Sequence, residues 1–215
     1  MKFASYIRES AIARTDARRR VCSASSIRTL ARESQPTRNF RRVCQSCRLS
    51  AVCEVRSAGQ ARTAVARGCP ALSVRTWQDH DLDLFAELAD VCLATSVPTL
   101  QRDLIASEYQ VWEARAFGAD AVTLLPALAG PAELARLAAL ADELGMTAVF
   151  EVYDKEDAEV AFDLGAQVTV AAGSDLATLR SIRDSLPPTL LVLAEAGGNM
   201  ALIGGELLQV TGEAA

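Results

Sequence analysis

Histidine, aromatic residues and long apolar runs are scarce in this 215-residue sequence, and acidic residues are scarce near its start. His80 is the only histidine. A zinc site would therefore have to be built mainly from cysteines, of which there are six: Cys22, Cys44, Cys47, Cys53, Cys69 and Cys92. The spacing Cys44-x-x-Cys47 invites a metal or redox reading. Tetrahedral zinc takes four ligands, usually as two close pairs, and only Cys53 follows nearby, inside an expected strand. Ordinary reduced thiols of an intracellular chain are the expectation, with no metal and no cofactor. Aromatics make up 5% of the residues against 50% hydrophobic overall, and Ala and Leu dominate, as in a helix-rich α/β protein. No apolar stretch approaches the roughly 20 residues of a membrane span, and no secretory apolar segment is present. The expectation is a soluble, cytoplasmic protein with no membrane partner. A formal net charge of −5 gives no reason to expect a nucleic-acid partner.

Acid is missing where base is dense. The first 48 residues hold Lys2 and eleven arginines against Glu9, Asp16 and Glu33. Such a leader fits an organelle transit peptide or a basic arm for anions. Phe3, Ile7 and Ala11, spaced four apart, form one weak amphipathic face, and Ser34-Gln35-Pro36-Thr37 ends the pattern.

The most informative stretch is VPTLQRDLIASEYQVWEARAFGADAV, residues 97–122. It predicts a strand over 97–100, a charged strand end at Arg102 and Asp103, a helix over 107–117, a turn at Gly118 and a strand over 121–125. Strand–helix–strand with short links is a unit of a parallel sheet, and the C-terminal strand ends of such sheets carry the chemistry.

This block resembles indole-3-glycerol phosphate synthase, whose pattern is VPVLRKDFIxDEYQxxEARAxGADAV. Val97, Pro98, Leu100, Asp103, Ile105, Glu108, Tyr109, Gln110, Glu113, Ala114, Arg115, Ala116, Gly118, Ala119, Asp120, Ala121 and Val122 match. Further matches follow the same order. Arg38-Asn39-Phe40 resembles the family's R-D-F ahead of the first strand. LSAVCEV (49–55) ends in Glu54-Val55-Arg56-Ser57, where the family has E-V-K-R-A-S-P-S-K. Ser73-Val74 lies in a second strand, with Arg75 replacing an apolar residue. TAVFEV (147–152) carries Glu151, with Tyr153 in place of a histidine. Glu195-Ala196-Gly197 resembles E-S-G.

The resemblance implies a (β/α)8 TIM-type barrel over 40–215 with a basic, helical N-terminal extension over 1–39 packed on the barrel mouth, a third reading of the leader. The barrel is expected to be incomplete near its seventh and eighth βα units. Only Gly198-Asn199-Met200 separates Gly197 from the segment 201–207, which resembles the family's eighth strand, so a helix of roughly a dozen residues is missing. The loop after the first strand is also cut, to Ala58-Gly59-Gln60. Expected helices lie at 61–67, 79–89, 131–144, 157–164 and 177–185, and further strands at 166–171 and 189–194. A missing helix exposes apolar strand surface, which a partner chain, self-association or the N-terminal arm would cover.

By the same resemblance the function is closure of the indole ring from 1-(2-carboxyphenylamino)-1-deoxyribulose 5-phosphate with loss of carbon dioxide and water, in tryptophan biosynthesis. The implied catalytic positions are Glu54, Arg56, Arg102, Glu151 and Glu195; the implied substrate and phosphate contacts are Ser57, Gly197, Gly204 and Gly205. Three carboxylates converging at one mouth repel, which can raise a pKa into the range of acid–base work. Arg56 and Arg102 stand where the family has catalytic lysines. Arginine keeps the charge and forks onto oxyanions, but it does not release a proton near neutral pH. Arg102 has a second reading, an ion pair with a neighbouring glutamate holding the mouth together. The alternative to the enzyme is therefore a catalytically impaired relative that binds an anionic ligand or a protein partner.

Overall fold

The computed structural model describes residues 2–46, 51–77, 84–173, 175–196 and 199–202. Eight strands close a barrel in chain order: β1 (Ala51–Glu54), β2 (Ala71–Arg75), β3 (Thr99–Arg102), β4 (Ala121–Leu124), β5 (Thr147–Val152), β6 (Val168–Ala171), β7 (Leu191–Ala196) and β8 (Asn199–Leu202). Strands β2 to β6 bury residues of both faces, so they read as apolar runs rather than strict alternations. Parity still divides the faces. Val52, Ala71, Leu100, Ala121, Val149, Val168 and Leu191 point inward and pack in one cluster. Leu72, Val74, Val122, Leu124, Phe150, Val152 and Val192 point outward, against the helices.

Three helices precede the barrel: α1 (Lys2–Val21), α2 (Ala24–Glu33) and α3 (Phe40–Ser46). Phe40 and Cys44 of α3, both fully buried, pack against the inner residues Val52, Leu100 and Val149 and plug the N-terminal end. At the other end Ile7 and Ala11 of α1 pack on Leu104, Ala106, Leu125 and Leu128, which follow β3 and β4. Residues 2–21 and 24–33 of the expected 1–39 arm are thus helical, and α1 packs on the loops that follow β3 and β4. Ile27 and Ala31 of α2 pack on Tyr109 and Trp112. In its described contacts the arm sits on the β3–β4 side.

The outer helices are α4 (Ala58–Ala66), α5 (Leu84–Ala94), α6 (Glu108–Ala116), α7 (Pro131–Glu143), α8 (Lys155–Asp163) and α9 (Leu176–Ser185). Gly118 and Gly145 follow α6 and α7 with φ of 92° and 76°, the left-handed conformation in which a side chain is strained. At Gly145 a Cβ would also sit 2.8 Å from Thr37 Oγ1. The helix expected at 79–89 is described from Leu84 and continues to Ala94; residues 78–83, with His80, lie outside the described residues.

Two expectations are corrected. β8 was expected to continue the parallel pattern, but it runs antiparallel to both β7 and β1. Only residues 197 and 198 separate it from β7, and a parallel connection needs a crossover of about a dozen residues or more. The chain can only turn back, and the reversed strand closes the barrel. Cysteines 53 and 69 were expected as free thiols, yet they form a disulfide with Cα atoms 6.5 Å apart. Cys53 packs against the outer core that contains Cys69, and parallel pairing of β1 with β2 brings that part of the chain alongside. Cys22 and Cys92 are free thiols; Cys47 lies outside the described residues. A cavity of about 730 Å³ remains beside this bridge, lined by Cys53, Val55, Arg56, Gln60 and Arg67.

Candidate active site

In a (β/α)8 barrel the side chains of alternate strands share a layer. The odd strands build one at this mouth: Glu54 ends β1, Arg102 ends β3, Glu151 lies near the end of β5, and Glu195 near the end of β7. Arg102 falls inside β3 because that strand extends two residues beyond the expected 97–100. It is 4% exposed.

Its guanidinium has five N–H groups, and five hydrogen bonds engage them. Nε donates to Glu151 Oε2 at 3.3 Å and Nη2 to Glu151 Oε1 at 3.0 Å. Nη2 also donates to Glu195 Oε2 at 2.7 Å, and Nη1 to Glu195 Oε1 at 3.1 Å and Glu54 Oε2 at 3.5 Å. The second reading of Arg102, an ion pair that ties the mouth together, is the arrangement found. Burial alone would lower its pKa; the hydrogen bond and charge of Glu195 and Glu151 outweigh burial and raise it above the ordinary arginine value. The repulsion expected among three converging carboxylates is met by the cation at their centre.

Two further residues belong to this ring. Arg75, the last residue of β2, donates through Nη2 to Glu54 Oε2 at 2.9 Å and lies 3.7 Å from Glu195 Oε1. Tyr153 donates its hydroxyl to Glu151 Oε1 at 2.7 Å; burial first, then the Glu151 charge, pushes the phenol above its ordinary pKa. Neither was a candidate from the sequence. The signal for Arg75 was its parity: it lies two and four residues after Ser73 and Ala71, on the inward face. Tyr153 stood out only as a replacement.

Arg56 and Ser57 do not join the ring. Because the loop after β1 is cut, α4 starts immediately. Ser57 becomes its N-cap, accepting from Gln60 N at 3.3 Å, and the Arg56 backbone N–H donates to Gln60 Oε1 at 2.8 Å. The Arg56 side chain is exposed and has no partner among the described residues. Gly197, Gly204 and Gly205 lie outside the described residues. Among the described residues no group of three His, Cys, Asp or Glu is placed to hold a metal ion, and no helix is long and apolar enough to cross a membrane.

Beneath α1 a second buried polar group lies close by. Leu104 N donates to Asp103 Oδ1 at 2.7 Å, and burial pushes the Asp103 carboxyl up. Arg18 of α1 forks onto Glu113 of α6, both bonds 2.9 Å. Burial, against the opposing charge of Arg18, pushes Glu113 up to about 7.

Residues 8–186 match the sequence profile of the family described as indole-3-glycerol phosphate synthase. The indole-3-glycerol phosphate synthase of Dehalococcoides mccartyi is 32% identical over 140 residues, covering 60% of this chain and 54% of that protein; the match thus spans about half the length of such relatives. That of Chlorobium phaeovibrioides is 30% identical over 99% of this chain and 96% of its own. Among solved structures, 3-keto-L-gulonate-6-phosphate decarboxylase from Vibrio cholerae superposes with a TM-score of 0.57 at 16% identity, over 69% of this chain and 78% of its own, a likeness of fold alone.

Proposed function

The chain belongs to the indole-3-glycerol phosphate synthase family, and from that premise we propose that its mouth closes the indole ring of 1-(2-carboxyphenylamino)-1-deoxyribulose 5-phosphate, as a carbon–carbon lyase of tryptophan biosynthesis in the cytoplasm. The observation that carries this reading is the ring itself: Glu54, Arg102, Glu151 and Glu195, from four strands, meet at one mouth.

The reaction's balance defines what the groups must do. The aromatic carbon bearing the carboxylate attacks the ribulose carbonyl, whose oxygen takes up a proton. Carbon dioxide then leaves and its bonding pair restores the ring. Finally the hydroxyl departs as water with a second proton, and a proton is lost from the methylene carbon beside nitrogen. Arg102 supplies positive charge near the developing oxyanion but no proton. Proton transfer therefore falls to Glu151, Glu195 and Glu54, with the Tyr153 hydroxyl orienting Glu151. Gly197, at the β7–β8 connection, is the proposed phosphate contact.

A second reading, a binding protein without turnover, is favoured by one observation: every N–H of Arg102 is engaged by the protein's own carboxylates. The test is formation of indoleglycerol phosphate, followed by fluorescence, with full chain that melts cooperatively. Turnover above background that falls with Glu151→Gln supports the enzyme. Its absence from a folded sample leaves the binding reading.

A further inference from the structure

The cation at the centre of the mouth has no donor left for a ligand. Arg102 places all five N–H groups on Glu54, Glu151 and Glu195, and its side chain is 5% exposed. Arg75 is placed differently. It stands in register with Arg102 on the neighbouring strand, but makes one hydrogen bond, to Glu54 Oε2. A quarter of its side chain is exposed. Its Nε is buried without an acceptor among the described residues. Its guanidinium lies over the Trp77 ring, 5.7 Å from the centroid, an attraction that holds the fork in place.

We propose that Arg75 is the residue that binds a ligand's carboxylate at this mouth, with Trp77 backing its guanidinium. This deepens the reading of the mouth as an anion-accepting site and rests on it. The chemistry selects the anion. A guanidinium fork matches the two oxygens of a carboxylate. Among the described residues the ring sets two arginines against three glutamates, a negative balance that repels a monoanion less than a phosphate dianion. The incoming carboxylate competes with Glu54 for the same fork. Glu54 therefore opposes binding while Arg75 promotes it, a pair of opposite signs that a merely structural role of Arg75 does not produce.

The experiment is calorimetric titration of benzoate and of inorganic phosphate into the full chain near pH 7, with thermal melts of every variant. Benzoate is expected to bind more tightly than phosphate. Arg75→Leu is expected to weaken benzoate about tenfold or more, the worth of a charged hydrogen bond. Trp77→Ala is expected to weaken it about two- to fivefold, and Glu54→Gln to strengthen it. If Arg75→Leu does not melt cooperatively, Arg75→Lys, a charge without a fork, takes its place and is expected to bind more weakly than wild type. Failure of wild type to bind benzoate, equal binding by the Arg75 variant, or tighter binding of phosphate overturns the proposal. Benzoate binding that depends on Arg75 without indoleglycerol phosphate formation overturns only the enzymatic reading. Turnover with an unchanged KM in Arg75→Leu overturns only this one.

Discussion

Replacing Arg102 by lysine should move stability and activity in opposite directions. The five hydrogen bonds of the guanidinium reach three carboxylates. An ammonium has three N–H groups, so at least two of the bonds must go. A hydrogen bond to a charged group contributes about 1.5–3 kcal/mol. The Glu54 and Glu195 side chains are 13% and 21% exposed, so water recovers part of that loss, and a net cost of about 2 kcal/mol follows. In a chain of this size that lowers Tm by about 4–8 °C. The same change supplies a group able to hand over a proton, where general acid catalysis is worth about 10²–10⁴-fold. Arg102→Met separates charge from fork: it leaves buried carboxylates uncompensated and should cost about 3–5 kcal/mol with no gain in turnover. The assays are thermal melting by circular dichroism and indoleglycerol phosphate fluorescence on the same samples. An Arg102→Lys variant with unchanged or higher Tm would refute the structural role given to the fork. A folded variant with no gain would refute the expected rise in activity and leave proton transfer to the glutamates alone.

Glu113, pushed up to about 7 by burial against the charge of Arg18, binds its proton more tightly folded than unfolded. Its contribution is full below the ordinary carboxyl pKa near 4.5 and is lost as pH rises through about 7, at most about 3 kcal/mol. Denaturant titrations at about pH 5 and pH 8 should show this loss reduced in Glu113→Gln, the share of Asp103 remaining; an unchanged slope contradicts the assignment. The Cys53–Cys69 bridge closes a loop with a sequence separation of 16, worth about 3 kcal/mol by chain entropy, so dithiothreitol should lower Tm by about 6–12 °C, and an identical melt in its presence argues against the bridge. Phe40, fully buried at the N-terminal end of the barrel, should cost about 3–5 kcal/mol when replaced by alanine, measured by urea unfolding; a loss under about 1 kcal/mol would show that α3 does not plug the barrel.

The sequence made the middle of the fold legible and its end illegible, for physical reasons. β5 has the bounds expected for it, and α7 differs by one residue, because the β-favouring run TAVFEV and a strong leucine stripe between glycines leave little choice. Glu54, Arg102, Glu151 and Glu195 were implied by the family resemblance, and their places at or near strand ends bring them to one mouth. Arg56 was misplaced with them because its position depended on a loop that this chain has cut. The disulfide carried no signal beyond two cysteines near neighbouring strands. The direction of β8 was obscured by resemblance: the segment from Ala201 reads like a family strand, while the two residues before Asn199 already forbid a crossover. Chain length was the stronger constraint.

That reversal bears on chemistry as well as topology. Closure needs hydrogen-bond partners for the free edges of β1 and β7, and an antiparallel strand supplies them as well as a parallel one. The odd-strand layer is untouched, since β1, β3, β5 and β7 keep their direction and register. What depends on direction does change. Barrels of this kind hold phosphate in the loops after the seventh and eighth strands, and a parallel eighth strand would end at the mouth. Here Asn199 pairs with Ala196 and Leu202 with Leu193, so β8 descends away from Glu195. The described part of β8 ends at Leu202, away from the mouth, and the residues after it lie outside the described residues. Within the described ring, the charge proposed to receive a ligand is then Arg75, a quarter exposed on the far side of β1, where Glu54 is its competitor. Affinity for an anionic ligand should accordingly depend more on Arg75 and Glu54 than on Arg102, a ranking opposite to the one that burial and hydrogen-bond count alone would assign.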